Sequence, residues 1–108
     1  MFAALQQADV LALPGSSEPT PLLPTEPGIQ NKEAARQRMA GRRSFTGVFN
    51  LANVPALCVP CGYVSVDGKD LPIGLQLAGK PFADGLLLKV AHAYEQSTTW
   101  HTRRPPIA

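Results

Sequence analysis

The sequence predicts an α/β fold: a small mixed sheet containing an antiparallel hairpin, packed by helices. Three observations carry that reading. Asp67-Gly68, the dipeptide favoured in tight hairpin turns, sits between two apolar runs. Beyond them Leu87, Val90, Ala91 and Tyr94 recur at helical spacing. Upstream, the apolar run at residues 10–13 is stopped by Pro14 and Gly15. With 108 residues the chain has room for one domain. A domain of that size buries about two thirds of the surface its unfolded form exposes, enough for one core without metal or disulfide staples.

The elements follow in order. Residues 1–8 are good helix formers, and residues 10–13 read as a buried strand after that helix ends. Residues 15–28 hold Pro19, Pro21, Pro24 and Pro27 among Ser, Thr and Glu. Proline supplies no N–H, so this stretch fits neither helix nor ladder and reads as a long Pro-rich loop, the wall of a site or a linker. Asn31 is placed to cap a short helix through Ala34, Arg36 and Met39, with Gly41 as its stop. The hairpin spans residues 56–79, with strands at 56–66 and 71–79. In the second strand Ile73, Leu75 and Leu77 fall on a core face, while Gly74, Gln76 and Ala78 make a small face that invites close helix packing. Asp84 then caps a helix over 84–97 that covers the hairpin. Arg103, Arg104, Pro105 and Pro106 break it off as a terminal tail.

Composition narrows the function classes. A formal net charge of +2 is too small to imply a polyanion, so no nucleic-acid partner is expected. No apolar run approaches the roughly 20 residues of a membrane span, and the N-terminal stretch lacks basic residues and carries Asp9. A cytoplasmic protein without a membrane partner is the expectation. Residues 32–43 carry Lys32, Arg36, Arg38, Arg42 and Arg43 against Glu33. With no aromatic or Gly-rich element beside it, this cluster reads as a solvated helix face before it reads as a phosphate site.

Candidate chemistry is sparse. Cys58 and Cys61 have the spacing of a redox pair or half a zinc site. In an extended segment, positions three apart point to opposite faces, whereas redox pairs sit at helix N-termini. His92 and His101 are too widely spaced to complete a zinc site, so both thiols are read as small packing residues. His92 shares a helix face with Lys89 and Gln96 and reads as a surface residue. Gly15-Ser16-Ser17 lacks the Gly-x-Ser-x-Gly elbow and an assignable base, and reads as a turn. Neither a metal nor an organic cofactor is expected, and no catalytic residue is assigned.

Phe45-Thr46-Gly47-Val48-Phe49-Asn50, followed by Val54-Pro55-Ala56-Leu57-Cys58-Val59-Pro60-Cys61-Gly62, resembles the C-terminal part of the amidase-signature family. Leu71-Pro72-Ile73-Gly74-Leu75-Gln76-Leu77-Ala78-Gly79-Lys80-Pro81-Phe82 looks like that family's penultimate strand. Residues 87–96, with Trp100-His101 and Arg104-Pro105, look like its closing helix and tail. Asp9-Val10-Leu11-Ala12-Leu13-Pro14 is similar to the strand and Pro-rich loop that precede this block. The resemblance implies the C-terminal part of the amidase-signature fold, which completes a mixed sheet and walls part of an acyl pocket. It also implies hydrolysis of carbon–nitrogen amide bonds by a Ser, a second Ser and a Lys in a Gly/Ser-rich region far upstream. That region is absent from this chain, so the expectation is a C-terminal amidase portion, inactive alone. Its partners would be the missing N-terminal portion or a second copy, with a small amide substrate only in the complete enzyme. Thr46 and Asn50, in the turn at 45–50, are the implied substrate-binding residues at the pocket edge.

Two departures from the family pattern have physical readings. Asn53 stands where the family commonly has Gly; if that position is left-handed, Asn is the least costly alternative. Arg43 stands where the family's glutamine-amide transferase branch carries an acidic residue, a reversal that disfavours binding a substrate amino group there. A general amidase is therefore preferred to a transamidation enzyme. The alternative of another class is a standalone structural or interaction module derived from an amidase.

Overall fold

The computed structural model describes residues 2–22, 32–39 and 45–107. Its elements are α1 (Phe2–Gln7), β1 (Val10–Pro14), α2 (Lys32–Met39), α3 (Gly47–Ala52), β2 (Ala56–Val66), β3 (Lys69–Gly79), α4 (Asp84–Ser97) and a 3-10 turn at Trp100–Thr102. The three strands form one sheet in the order β1-β3-β2. Both pairings are antiparallel, with Val10 opposite Gly79 and Ala56 opposite Ala78. The α/β class and the hairpin match the sequence reading, but the described strands include no parallel pair, so the sheet seen here is antiparallel rather than mixed.

The hairpin forms because Asp67 (φ 50°) and Gly68 (φ 75°) both take positive φ, the twist that matches two right-handed strands. The second strand starts at Lys69 rather than at the sequence-read 71, because a two-residue turn pairs Val66 directly with Lys69. Space is open around Gly68: an added Cβ would meet no atom within 4 Å. Gly68→Ala therefore isolates the backbone cost, and we expect a loss of about 1 kcal/mol, read from thermal unfolding. An unchanged midpoint would mean that the turn carries no left-handed requirement at Gly68.

A bulge lies between Pro60 and Gly62, where the β2–β3 register shifts and leaves Cys61 without an opposite residue. Pro60 offers no N–H to the ladder, and Gly62 (φ 154°) has a conformation that side chains rarely adopt, so the irregularity falls where the sequence permits it.

The central strand buries both of its faces only over residues 76–79; Ile73, read as a core position, is 41% exposed, because it lies in the outer half of the hairpin beyond the reach of the helices. Leu77 packs with Val59, Leu87 and Ala91 in one cluster, with Val10, Leu57, Leu75, Val90 and Tyr94 around it. This is the face covered by α4. On the other face Ala78, with no exposed surface, packs with Leu5 of α1 and with Phe49 and Val54 around α3. The small residues of that face do invite helix packing, but the helices that arrive are α1 and α3. The strand read as buried, β1, is instead half-buried, because it is an outer strand paired on one side by β3.

Two helix boundaries differ from the sequence reading or refine it. Ala83 takes the N-cap position of α4, so Asp84 lies in the first turn and acts on the helix dipole rather than as the cap. The 45–50 turn continues into α3, which ends when Asn53 adopts the left-handed conformation (φ 55°, ψ 45°) and its N–H reaches the Phe49 and Asn50 carbonyls. Asn31 and Gly41, the expected limits of α2, lie outside the described residues, as do residues 23–28 of the Pro-rich loop.

After α4 the chain turns back onto the hairpin. Arg103 places its guanidinium 3.9 Å from the centroid of Tyr63 and donates to Asp70 at 2.9 Å. Trp100 flanks the same ring at 6.2 Å between centroids. The ion pair is about half exposed and adds little by itself, but with the aromatic contacts it fixes where the tail lies.

Candidate functional site

The end of β1 leads directly into the clefts. The Gly15 N–H donates to the Gly74 carbonyl at 2.9 Å, carrying the β1–β3 ladder one step beyond Pro14. The chain then crosses the strand end as Ser16-Ser17-Glu18-Pro19, and the Ser16 hydroxyl donates to the Glu18 carbonyl at 2.6 Å, closing a local turn. This crossing segment walls two adjoining clefts. The first, about 360 Å³, has Cys58, Pro72 and Gly74 opposite the loop. The second, about 520 Å³, has Leu13, Cys61, Val64 and Leu75 there.

Three small groups set the floor of the first cleft. A Cβ on Gly74 would lie 2.8 Å from the Cys58 Sγ, and one on Gly15 would lie 3.1 Å from the same sulfur. The first distance is closer than real Cβ atoms approach and the second is tighter than most, so the thiol occupies space that both glycines leave free. Cys61 sits at the bulge, where its Sγ donates to the Ile73 carbonyl at 3.7 Å. Partial burial, and secondarily the neighbouring Cys58, push the Cys61 thiol above its usual range, away from the thiolate that redox and metal chemistry need. Both cysteines are free, and they line different clefts.

Glu18 is the one charged side chain among the described residues lining these clefts. No histidine or lysine is among them, so the arrangement can receive a small, largely apolar group but brings no such base to activate a nucleophile. Among the described residues no three of His, Cys, Asp and Glu converge as a metal site. Nor is any described helix long and apolar enough to cross a membrane.

Thr46 and Asn50 lie one helical turn apart, Thr46 at the N-cap of α3 and Asn50 within it, and both are exposed or nearly so at the surface of that helix. Neither lines the two clefts of the Pro-rich loop. His92 is exposed on α4, and Arg42 and Arg43 lie outside the described residues. Sequence reasoning missed the Cys58, Gly15 and Gly74 contact. Its signal was two glycines on separate elements, which become neighbours only once the register is known.

The Amidase family model matches residues 1–88. The chain is 44% identical over 101 residues to one subunit of the glutamyl-tRNA(Gln) amidotransferase of Chloroflexus aurantiacus, covering 94% of this chain and 19% of that protein. The corresponding protein from Desulforudis audaxviator is 37% identical over 103 residues, covering 95% and 19%. That from Chloroflexus aggregans is 59% identical over 59 residues, covering 55% and 11%. The chain thus spans about a fifth or less of the length of these relatives. No solved structure matches it.

Proposed function

The chain belongs to the amidase family, and we propose that it is the C-terminal portion of a cytoplasmic amide hydrolase, contributing sheet strands and a pocket wall while an upstream portion supplies the nucleophile. The observation that carries this reading is the contrast between a built cleft and a missing reagent. The Pro-rich loop and Gly74 shape a space of small-molecule size, yet no histidine or lysine is among the described residues that line it. In the assembled enzyme an upstream Ser would attack the amide carbon, an oxyanion hole would hold the tetrahedral intermediate, and water would release the acid after the amine departs. Thr46, at the N-cap of α3, and Asn50, within it, line neither of the Pro-rich-loop clefts and would meet the substrate at a pocket edge that the upstream portion completes.

The names of the relatives favour a second reading, in which the chain serves an amidotransferase of the kind they describe. The resemblance puts Arg43 where the transferase branch carries an acidic residue, and a guanidinium at that place would repel the ammonium group of glutamine and favour simpler amides instead. Mixing the purified chain with the upstream portion of the Chloroflexus aurantiacus relative is expected to restore hydrolysis of simple aliphatic or aromatic amides, followed by ammonia release. Glutamine turned over in preference would support the transferase reading. Folded halves that do not associate would support the standalone interaction module.

A further inference from the structure

A second surface lies away from the Pro-rich loop, where α3 ends and α4 begins. Asn53, Val54 and Pro55 face Pro81, Phe82 and Asp84 across a cleft of about 470 Å³. A smaller cleft of about 170 Å³ adjoins it through Pro55 and Asp84 and ends at Leu88. Phe82 is 97% exposed and Leu88 is 62% exposed.

The backbone here is held at a cost. The Ala83 N–H donates to the Lys80 carbonyl at 3.0 Å, closing a four-residue turn with Pro81 second and Phe82 third. Phe82 has φ 64°, the left-handed region that turns of this kind normally fill with glycine at that position. A bulky aromatic residue is a steric outlier there. Asn53, on the opposite wall, is also left-handed, so among the described residues the two positive-φ non-glycine positions outside the hairpin turn both line this cleft. A position that strains its backbone in order to hold a fully exposed phenyl ring stabilises nothing inside this fold. Such outliers collect where something binds.

We infer that Phe82, Leu88 and the cleft between them are the docking site for the upstream portion of the amidase, with Phe82 as the anchor. The inference rests on the functional reading above, in which this chain works with an upstream portion. Two observations name that occupant. Phe82 and Leu88 both lie within the family match at residues 1–88, whereas the relatives carry about four fifths of their length beyond what this chain covers. Asp84 is the one charged side chain among the described residues lining the two clefts, so the docking segment should present an apolar side chain beside a Lys or Arg. A buried aromatic anchor with a charge at its rim is the usual composition of an interface centre.

The test uses the whole chain and the Chloroflexus aurantiacus relative lacking the part that this chain matches, with association followed by sedimentation velocity and by amide hydrolysis. Phe82→Gly is expected to weaken association about tenfold or more while raising the Tm of the free chain, because it removes the strained side chain and leaves no buried contact empty. Leu88→Ser is expected to weaken association with little change in Tm, and exposed His92→Gln to change neither. Both cleft variants assembling like the parent chain would overturn this inference and leave the functional reading intact. A parent chain that fails to associate would defeat the functional reading, and the docking site with it. Self-association of the chain alone that Phe82→Gly abolishes would also overturn the inference, by making a second copy the occupant.

Discussion

Leu87→Ala is expected to destabilise the chain by about 2–5 kcal/mol, the usual cost of removing a buried leucine side chain together with the cavity that it leaves. Leu87 is 2% exposed and lies in the cluster of Val59, Leu77 and Ala91 that joins α4 to the sheet. Its position is also tightly fitted: a Cβ on Gly79 would sit 3.3 Å from the Leu87 Cδ2, so the strand and helix are already in close approach. Domains of this size have about 5–15 kcal/mol of total stability, so the loss should move the urea midpoint strongly. The neighbouring Leu88 supplies the internal comparison. Because it is largely exposed, Leu88→Ala should change the stability by no more than about 0.5 kcal/mol. Equal losses at the two positions would contradict the seating of α4 described above.

That contrast also shows why α4 was legible in the sequence. Helical spacing of Leu87, Val90, Ala91 and Tyr94 marks one face, and those residues are the ones that meet β2 and β3. The hairpin was legible for a comparable reason, since Asp67-Gly68 has a narrow choice of conformations and the two-residue period divides the flanking runs into faces. What the pattern left open was the partner of each face. Alternation separates Leu77 from Ala78, but it does not say that a different pair of helices covers the alanine, because α1 and α3 are selected by tertiary packing of short segments. The bulge at Cys61 was hidden as well. One unpaired residue changes which side chains of β2 share a face, and neither composition nor periodicity reports it.

The candidate site was less legible than the fold. Thr46 and Asn50 came from resemblance alone, and the described structure places them at α3, where neither lines the Pro-rich-loop clefts. The Pro-rich loop was recognisable as a possible wall, because repeated proline prevents it from joining a ladder. Its opposite wall was not. Gly74 reads in sequence as a small residue on a helix-packing face, and Cys58 as a small packing residue. Their actual relation is steric, and it depends on β2 and β3 pairing in a register that sets Cys58 opposite Gln76, beside Gly74.

This steric relation makes a sharper prediction than any single substitution. Gly74→Ala would put a Cβ at 2.8 Å from the Cys58 Sγ, and relief requires the sulfur or the strand to move. A cost of about 1–3 kcal/mol is expected, as for other overpacked sites. If the sulfur is the obstacle, Cys58→Ala should remove that cost, and Gly74→Ala should then be close to neutral in its presence, since the next atom from that Cβ is the Val59 carbonyl oxygen at 3.8 Å. A four-member cycle measured by urea unfolding would give a coupling of about 1–3 kcal/mol between the two positions. Gly74→Ala costing as much without the thiol as with it would place the strain in the backbone and remove Cys58 from the account. The expected sign matters for the cleft as well as for stability. A thiol held between two glycines sets how deep the floor lies, so Cys58→Ala should deepen the cleft and admit a larger apolar group. A Cβ at Gly74 would refill it from the other side. Under the function proposed above, in which this cleft walls the substrate pocket, the two substitutions should therefore shift the preferred size of amide substrate in opposite directions.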